Sequence, residues 1–72
     1  MPLALAPLGK SFKITQLRTD EKVKRHLESL GLGAGAEVSA VSDSGGDVIL
    51  QVKGGRVAIN KGLAMKITVV GA

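Results

Sequence analysis

The sequence contains no cysteine, tryptophan or tyrosine, and only one phenylalanine and two prolines occur among its 72 residues. Without cysteine, neither a disulfide framework nor a thiolate metal site can form, so we expect apolar packing alone to hold the core. The lack of disulfides also suits a reducing compartment, and we expect a cytoplasmic location. No apolar run approaches the roughly 18 residues of a membrane helix, so we expect neither a transmembrane segment nor direct membrane insertion.

Side chains able to do chemistry are scarce as well. His26 is the single histidine, and its helical neighbours at i−4 and i+4, Lys22 and Leu30, are not metal ligands. A catalytic triad needs a base with an orienting partner, and the acidic residues fall in glycine-rich turns or on a polar helix face. We therefore predict no enzymatic activity, no catalytic residue, no metal ligand and no cofactor.

The chain does have hydrophobic residues and positive charge. Hydrophobic residues make up 44% of the sequence, which is enough for one small folded domain over residues 1–72. The formal net charge is +4. This charge indicates attraction to an acidic partner, which could be nucleic acid, an anionic lipid surface or an acidic patch on another protein.

The first half of the chain predicts one strand and one helix. Residues 11–17 alternate between apolar and polar side chains, as a half-buried strand does. Thr19 or Asp20 can cap a helix over residues 21–30, in which apolar residues recur at i, i+4 and i+7. Gly31 then provides a left-handed stop.

The second half predicts only strands and turns. Two glycine pairs interrupt it, and we place a two-residue primed turn, of type I′ or II′, at Gly54 and Gly55. That turn would set Lys53 opposite Arg56 and turn four aliphatic side chains to the core: Leu50, Val52, Val57 and Ile59. The predicted strands cover residues 37–42, 48–53, 56–60 and 65–70.

Five short strands and one helix in so small a chain favour a curled sheet, because closure limits the number of exposed edges. The predicted fold is mainly all-β, a small SH3-like five-stranded partly open barrel with one short α-helix in an early connection.

The order of these elements resembles the ferrous iron transport protein A (FeoA) family. The resemblance depends on five segments: Leu30-Gly31-Leu32 at the helix end, Gly35 before a strand, a Gly46-Asp47 turn, Gly55 to Ile59, and Gly62-Leu63-Ala64 with Ile67 and Val69. Val48 and Asn60 depart from family versions with proline and arginine at those positions, which leaves the subgroup open.

The resemblance implies a cytoplasmic SH3-like module without catalytic activity that assists a membrane ferrous iron transporter. It implies docking on the transporter's cytoplasmic GTP-binding part. The family is associated with transition metal ions, but it has no agreed iron-binding motif, so no ligand is assigned to any position here.

The predicted hairpin offers a surface for such docking. If its inward residues form the core, the outward ones include Ile49, Lys53, Arg56 and Ala58, so that an aliphatic side chain lies beside two positive charges. We predict that this face, or the adjoining turn at Gly46 and Asp47, contacts an acidic and apolar patch; the helix surface with Lys22 and Arg25 is the second choice. The alternative is that the N-terminal segment or the helix covers Ile49 and that the charges serve only solubility.

Two other kinds of function stay open. A small basic barrel could bind nucleic acid, but single-strand binding usually depends on aromatic side chains that stack on bases, and Phe12 is predicted to point inward. The chain could also self-associate weakly, because an exposed sheet edge can pair with its copy.

Overall fold

A computed structural model describes all residues of the chain, 1–72. A short 3₁₀ turn at Leu3–Leu5 opens the structure and two helices interrupt the strands. The elements in chain order are β1 (Ser11–Leu17), α1 (Glu21–Ser29), β2 (Glu37–Ser44), β3 (Asp47–Val52), β4 (Gly55–Asn60), α2 (Lys61–Ala64) and β5 (Ile67–Gly71).

The strands form one antiparallel sheet in the order β4-β3-β2-β1-β5. Irregularities in register bend it at two places, between Ala40 and Ser42 and between Ile14 and Gln16. The terminal strands of the sheet, β4 and β5, are not hydrogen-bonded to each other. The prediction of a five-stranded, partly open barrel with an early helix is confirmed.

Helix α1 has a defined cap at each end. Asp20, one of the two predicted caps, accepts a hydrogen bond at Oδ1 from the backbone N–H of Val23 at 2.9 Å. At the other end Gly31 has φ +86°, and the Leu32 N–H donates to the Leu27 carbonyl at 2.9 Å, as in a Schellman motif. The helix therefore ends at Ser29, one residue earlier than predicted. Neither helix is long and apolar enough to cross a bilayer.

The core consists of sixteen buried side chains, all of them apolar, with no buried polar side chain. Phe12 is 5% exposed and points inward, as predicted. The residues are Leu3, Ala6, Phe12, Ile14, Leu17, Leu27, Leu32, Val38, Ala40, Val48, Leu50, Val52, Ile59, Ala64, Ile67 and Val69.

The predicted register of the β3–β4 hairpin is wrong, although its inward face is correct. Val52 pairs with Gly55 and Gln51 with Arg56, so the turn consists of Lys53 and Gly54. Moving the turn by one residue changes every cross-strand partner by two positions. Because side chains alternate with a period of two, each residue keeps its face.

The two hairpin turns differ in backbone conformation. Gly45 and Gly46 have φ +64° and +89°, and two positive values in a two-residue loop define a type I′ turn. In the second turn Gly54 has φ +95° whereas Lys53 does not have a positive φ. This is the pattern of a type II turn, not of the primed turn expected there.

The connection before the last strand is a short helix, whereas the sequence predicts a short turn over residues 60–64. Asn60 caps α2, because its Oδ1 accepts hydrogen bonds from the N–H groups of Gly62 at 2.7 Å and Leu63 at 3.4 Å. Met65 follows this helix and is 46% exposed. It is therefore not the first inward residue of the last strand, which begins at Ile67.

We predict that Gly54→Val destabilises the fold. A β-branched residue at φ +95° is strained, and a penalty of about 2 kcal/mol would lower the Tm of so small a domain by about 10 °C. Gly54→Asn is the control, because asparagine tolerates a positive φ. Thermal unfolding followed by circular dichroism measures both variants, and an unchanged Tm for Gly54→Val would contradict the turn assignment.

Candidate partner-docking face

The outward side chains of β3 and β4 form the predicted docking face. Gln51 lies on this face between Ile49 and Lys53. Its Oε1 accepts a hydrogen bond from Nε of Arg56 at 3.1 Å. Its Nε2 donates to the Gly55 carbonyl at 3.2 Å. Arg56 is thus held by a neutral neighbour, and the predicted like-charge pair with Lys53 is wrong because Lys53 occupies the turn.

Ile49 is the apolar centre of this face. It pairs with Ser42 on one side and Ala58 on the other. It is half-buried, yet it is not among the partly buried side chains that pack on the core. Ala58 is exposed. Ile49 and Ala58 thus form one cross-strand pair in the middle of the face, Arg56 lies two positions nearer to the turn, and Lys53 lies in the turn itself.

The other two predicted residues lie at the opposite end of β3. Gly46 belongs to the type I′ turn, and Asp47 is the first residue of the strand. Six positions separate Asp47 from Lys53, which is about 20 Å along an extended strand. The predicted site therefore extends over both ends of the hairpin, with Ile49 and Ala58 between them.

Charge distinguishes these two ends. Near Gly46, Nζ of Lys61 lies 3.0 Å from Oδ2 of Asp43 in the single ion pair of the structure. The side chains of this pair are 49% and 32% exposed. Lys53 and Arg56 have no acidic partner within salt-bridge distance, so the turn end of the hairpin carries uncompensated positive charge.

An open groove adjoins the charged end, and the sequence analysis did not identify it. It has a volume of about 810 Å³ and runs between the sheet and the connection after α1. The cross-strand neighbours Ser11, Ser39 and Gln51 form its floor. These residues come from three strands, so no local sequence signal brings them together. Its further lining residues include Glu37 and Lys53.

The residues considered for catalysis and metal binding are not brought together. His26 is exposed on α1. The structure contains no cluster of three or more His, Cys, Asp or Glu side chains that could hold a metal ion. What the docking face offers is positive charge, a small aliphatic patch and a groove.

Comparisons with known proteins agree with the fold. The model of the FeoA domain family matches residues 1–70. The chain belongs to the FeoA domain family. It is similar to the Fe(2+) transport protein A of Methanocaldococcus jannaschii, with 34% identity over 94% of this chain and 83% of that protein.

Solved FeoA structures share the architecture. A crystal structure of a FeoA iron uptake regulatory protein superposes with a TM-score of 0.89 at 30% identity, covering 100% of this chain and 97% of that one. The FeoA protein of Stenotrophomonas maltophilia, crystallised with zinc and described as an SH3 domain protein, gives a TM-score of 0.78 at 28% identity. The match covers 97% of this chain and 89% of that chain. The predicted SH3-like fold and family resemblance are confirmed.

We predict that the positive charges of the docking face contribute little to stability. Lys53→Glu combined with Arg56→Glu should change the free energy of unfolding by less than about 1 kcal/mol, because exposed charges and exposed hydrogen bonds are worth little. Urea denaturation measures this value. A loss of more than about 2 kcal/mol would show that these side chains are structural.

Proposed function

We propose that this FeoA domain is a non-catalytic accessory module of ferrous iron uptake. It acts by binding the cytoplasmic GTP-binding part of a membrane ferrous iron transporter, and ferrous iron is the cargo of that transporter. The docking surface is the outward face of the β3–β4 hairpin. Its central residues are Ile49, Lys53, Arg56 and Ala58, and Gly46 and Asp47 form a second contact.

One observation carries this proposal: the outward face of the hairpin has a half-buried isoleucine that does not belong to the core and, toward its turn, two positive charges without an acidic partner. An acidic patch with an apolar centre on the partner would complement both features. Charge complementarity of this kind speeds association and selects among partners. The Stenotrophomonas maltophilia relative is described as a candidate activating factor for ferrous iron transport, which supports a transporter as the partner.

The separation of the two parts of the site is compatible with one interface. A standard protein interface covers about 800 Å² on each partner. The whole domain exposes 4274 Å², so such a contact would cover roughly a fifth of its surface. A footprint of this size extends from Lys53 along the hairpin to the turn at Gly46. We expect the Lys53 end to carry most of the affinity, because Lys61, the positive side chain near the other end, is already paired with Asp43.

The structure gives little support to nucleic acid as the partner. Phe12 is the single aromatic side chain, and it is buried in the core at 5% exposure. No aromatic side chain is therefore available to stack on a base.

We predict that Lys53→Glu with Arg56→Glu weakens binding to the transporter's purified GTP-binding domain by at least about tenfold, because it places negative charge against an acidic patch. Isothermal titration calorimetry measures the affinity. The matched control is Lys22→Glu with Arg25→Glu, which makes the same change of charge at exposed positions on α1.

An equal loss of affinity in both double variants would show that net charge alone causes the effect, and this would contradict the proposed face. Unchanged binding in the hairpin variant would also contradict it. Binding of single-stranded RNA that weakens steeply as salt rises, with no binding of the GTP-binding domain, would favour the nucleic-acid alternative instead.

A further inference from the structure

The two edge strands of the sheet, β5 and β4, differ in whether another part of the chain covers them. At the β5 edge, the N-terminal ammonium of Met1 donates to the Val69 carbonyl at 2.8 Å, and the Val69 N–H donates to the Met1 carbonyl at 2.7 Å. Pro2 adds a bridge to Thr68. The chain therefore covers this edge with its own first residues.

The β4 edge has no such cover. The register between β3 and β4 runs without a bulge, and β4 contains no proline and only one charged residue, Arg56. No hydrogen bond outside the β3–β4 ladder involves the backbone of residues 56–59. Proline, bulges and several charges are the usual means of protecting an edge strand, and β4 lacks them.

The register identifies the backbone groups at this edge. Val52 and Gly55 flank a two-residue turn and so form a hydrogen-bonded pair. The Lys61 N–H donates to the Gly46 carbonyl at 2.9 Å. Gly46 and Lys61 lie an even number of positions from Val52 and Gly55, so this bond falls on the same alternate set of pairs. Since bonded and non-bonded pairs alternate, Arg56 and Ala58 turn their N–H and C=O groups toward solvent.

The core is also incomplete along this strand. Val57 points inward and packs on the core, yet it is only half-buried, whereas its partner Leu50 is 0% exposed. An additional strand beside β4 would bring an aliphatic side chain over Val57. The edge thus offers both unpaired backbone groups and apolar surface.

We propose that the β4 edge accepts an extended segment of a partner protein as a sixth strand, and that this segment carries acidic residues alternating with aliphatic ones. The acidic residues would lie on the outward face beside Arg56 and Lys53, which lack acidic partners. A second copy of the chain fits this edge poorly, because β4 contains no acidic residue and each copy has a net charge of +4. The inference rests on the proposed function in that it names how the docking face and its edge engage the partner.

The test uses a short capped peptide of alternating valine and glutamate, together with an analogue in which lysine replaces each glutamate. Nuclear magnetic resonance of the ¹⁵N-labelled protein should show slower hydrogen exchange of the Arg56 and Ala58 amides when the glutamate peptide is added. The lysine peptide should leave both amides unchanged. Slowed exchange that appears with rising protein concentration alone would show a second copy at the edge and overturn the choice of partner.

Ala58→Pro removes one edge-facing N–H without removing a bond to β3, and proline is tolerated at such edge positions. It should weaken peptide binding by at least about tenfold, the loss expected from a missing backbone hydrogen bond and a steric block. Ala58→Gly keeps the N–H and loses only the methyl group, so it should bind the peptide more tightly than Ala58→Pro does. If Ala58→Pro is unfolded by circular dichroism, chemical synthesis with an ester in place of the Ala58 amide removes the same N–H.

Equal binding of the peptide to the unchanged protein and to the folded Ala58→Pro or ester variant would overturn the inference. The same variants, titrated with the transporter's GTP-binding domain, separate the two proposals. Equal binding of the GTP-binding domain by the unmodified protein and all variants rejects strand addition and keeps the proposed function. Failure of the unmodified protein to bind this domain rejects the proposed function itself.

Discussion

The inward packing of β3 is the constraint on which the rest of the structure depends. This strand lies between β2 and β4, and Val48, Leu50 and Val52 are 2%, 0% and 8% exposed. A slip of one residue would turn all three to solvent at a cost of about 1.5–3 kcal/mol each. That sum is comparable to the whole stability of a small domain, about 5–15 kcal/mol. The residues between them, Ile49 and Gln51, are consequently forced outward.

This constraint explains why a wrong register still led to the correct face. The glycine pair at 54 and 55 was interpreted as the centre of a primed turn, but Lys53 and Gly54 form the turn. The error changed the partner of every residue by two positions and left its side unaltered. Its consequence is electrostatic, since Arg56 lies against the neutral Gln51 and is not forced beside Lys53.

The structure leaves one face and one sheet edge out of its own packing. The β5 edge is closed by the first residues, and the two helices and the connection after α1 close the core with apolar contacts from Leu27, Ala64 and Leu32. The hairpin face and the β4 edge take no part in that closure. A FeoA domain of this kind has few groups for chemistry, so its surface charge, groove and free edge are the features that a partner can recognise.

Local sequence determined the strands, the capped helix, the inward and outward faces of each strand and the family, because alternation, Asp20 and the glycines act over a few residues. It also located four outward or turn positions of the candidate site correctly, and it misplaced Lys53 and Asp47 by one element each. Only the tertiary structure decided the cross-strand partners, the ion pair between Asp43 and Lys61, the groove floor and the difference between the two edges. Those features join residues far apart in the chain, and the hydrophobic pattern of a single strand contains no information about which backbone will lie beside it.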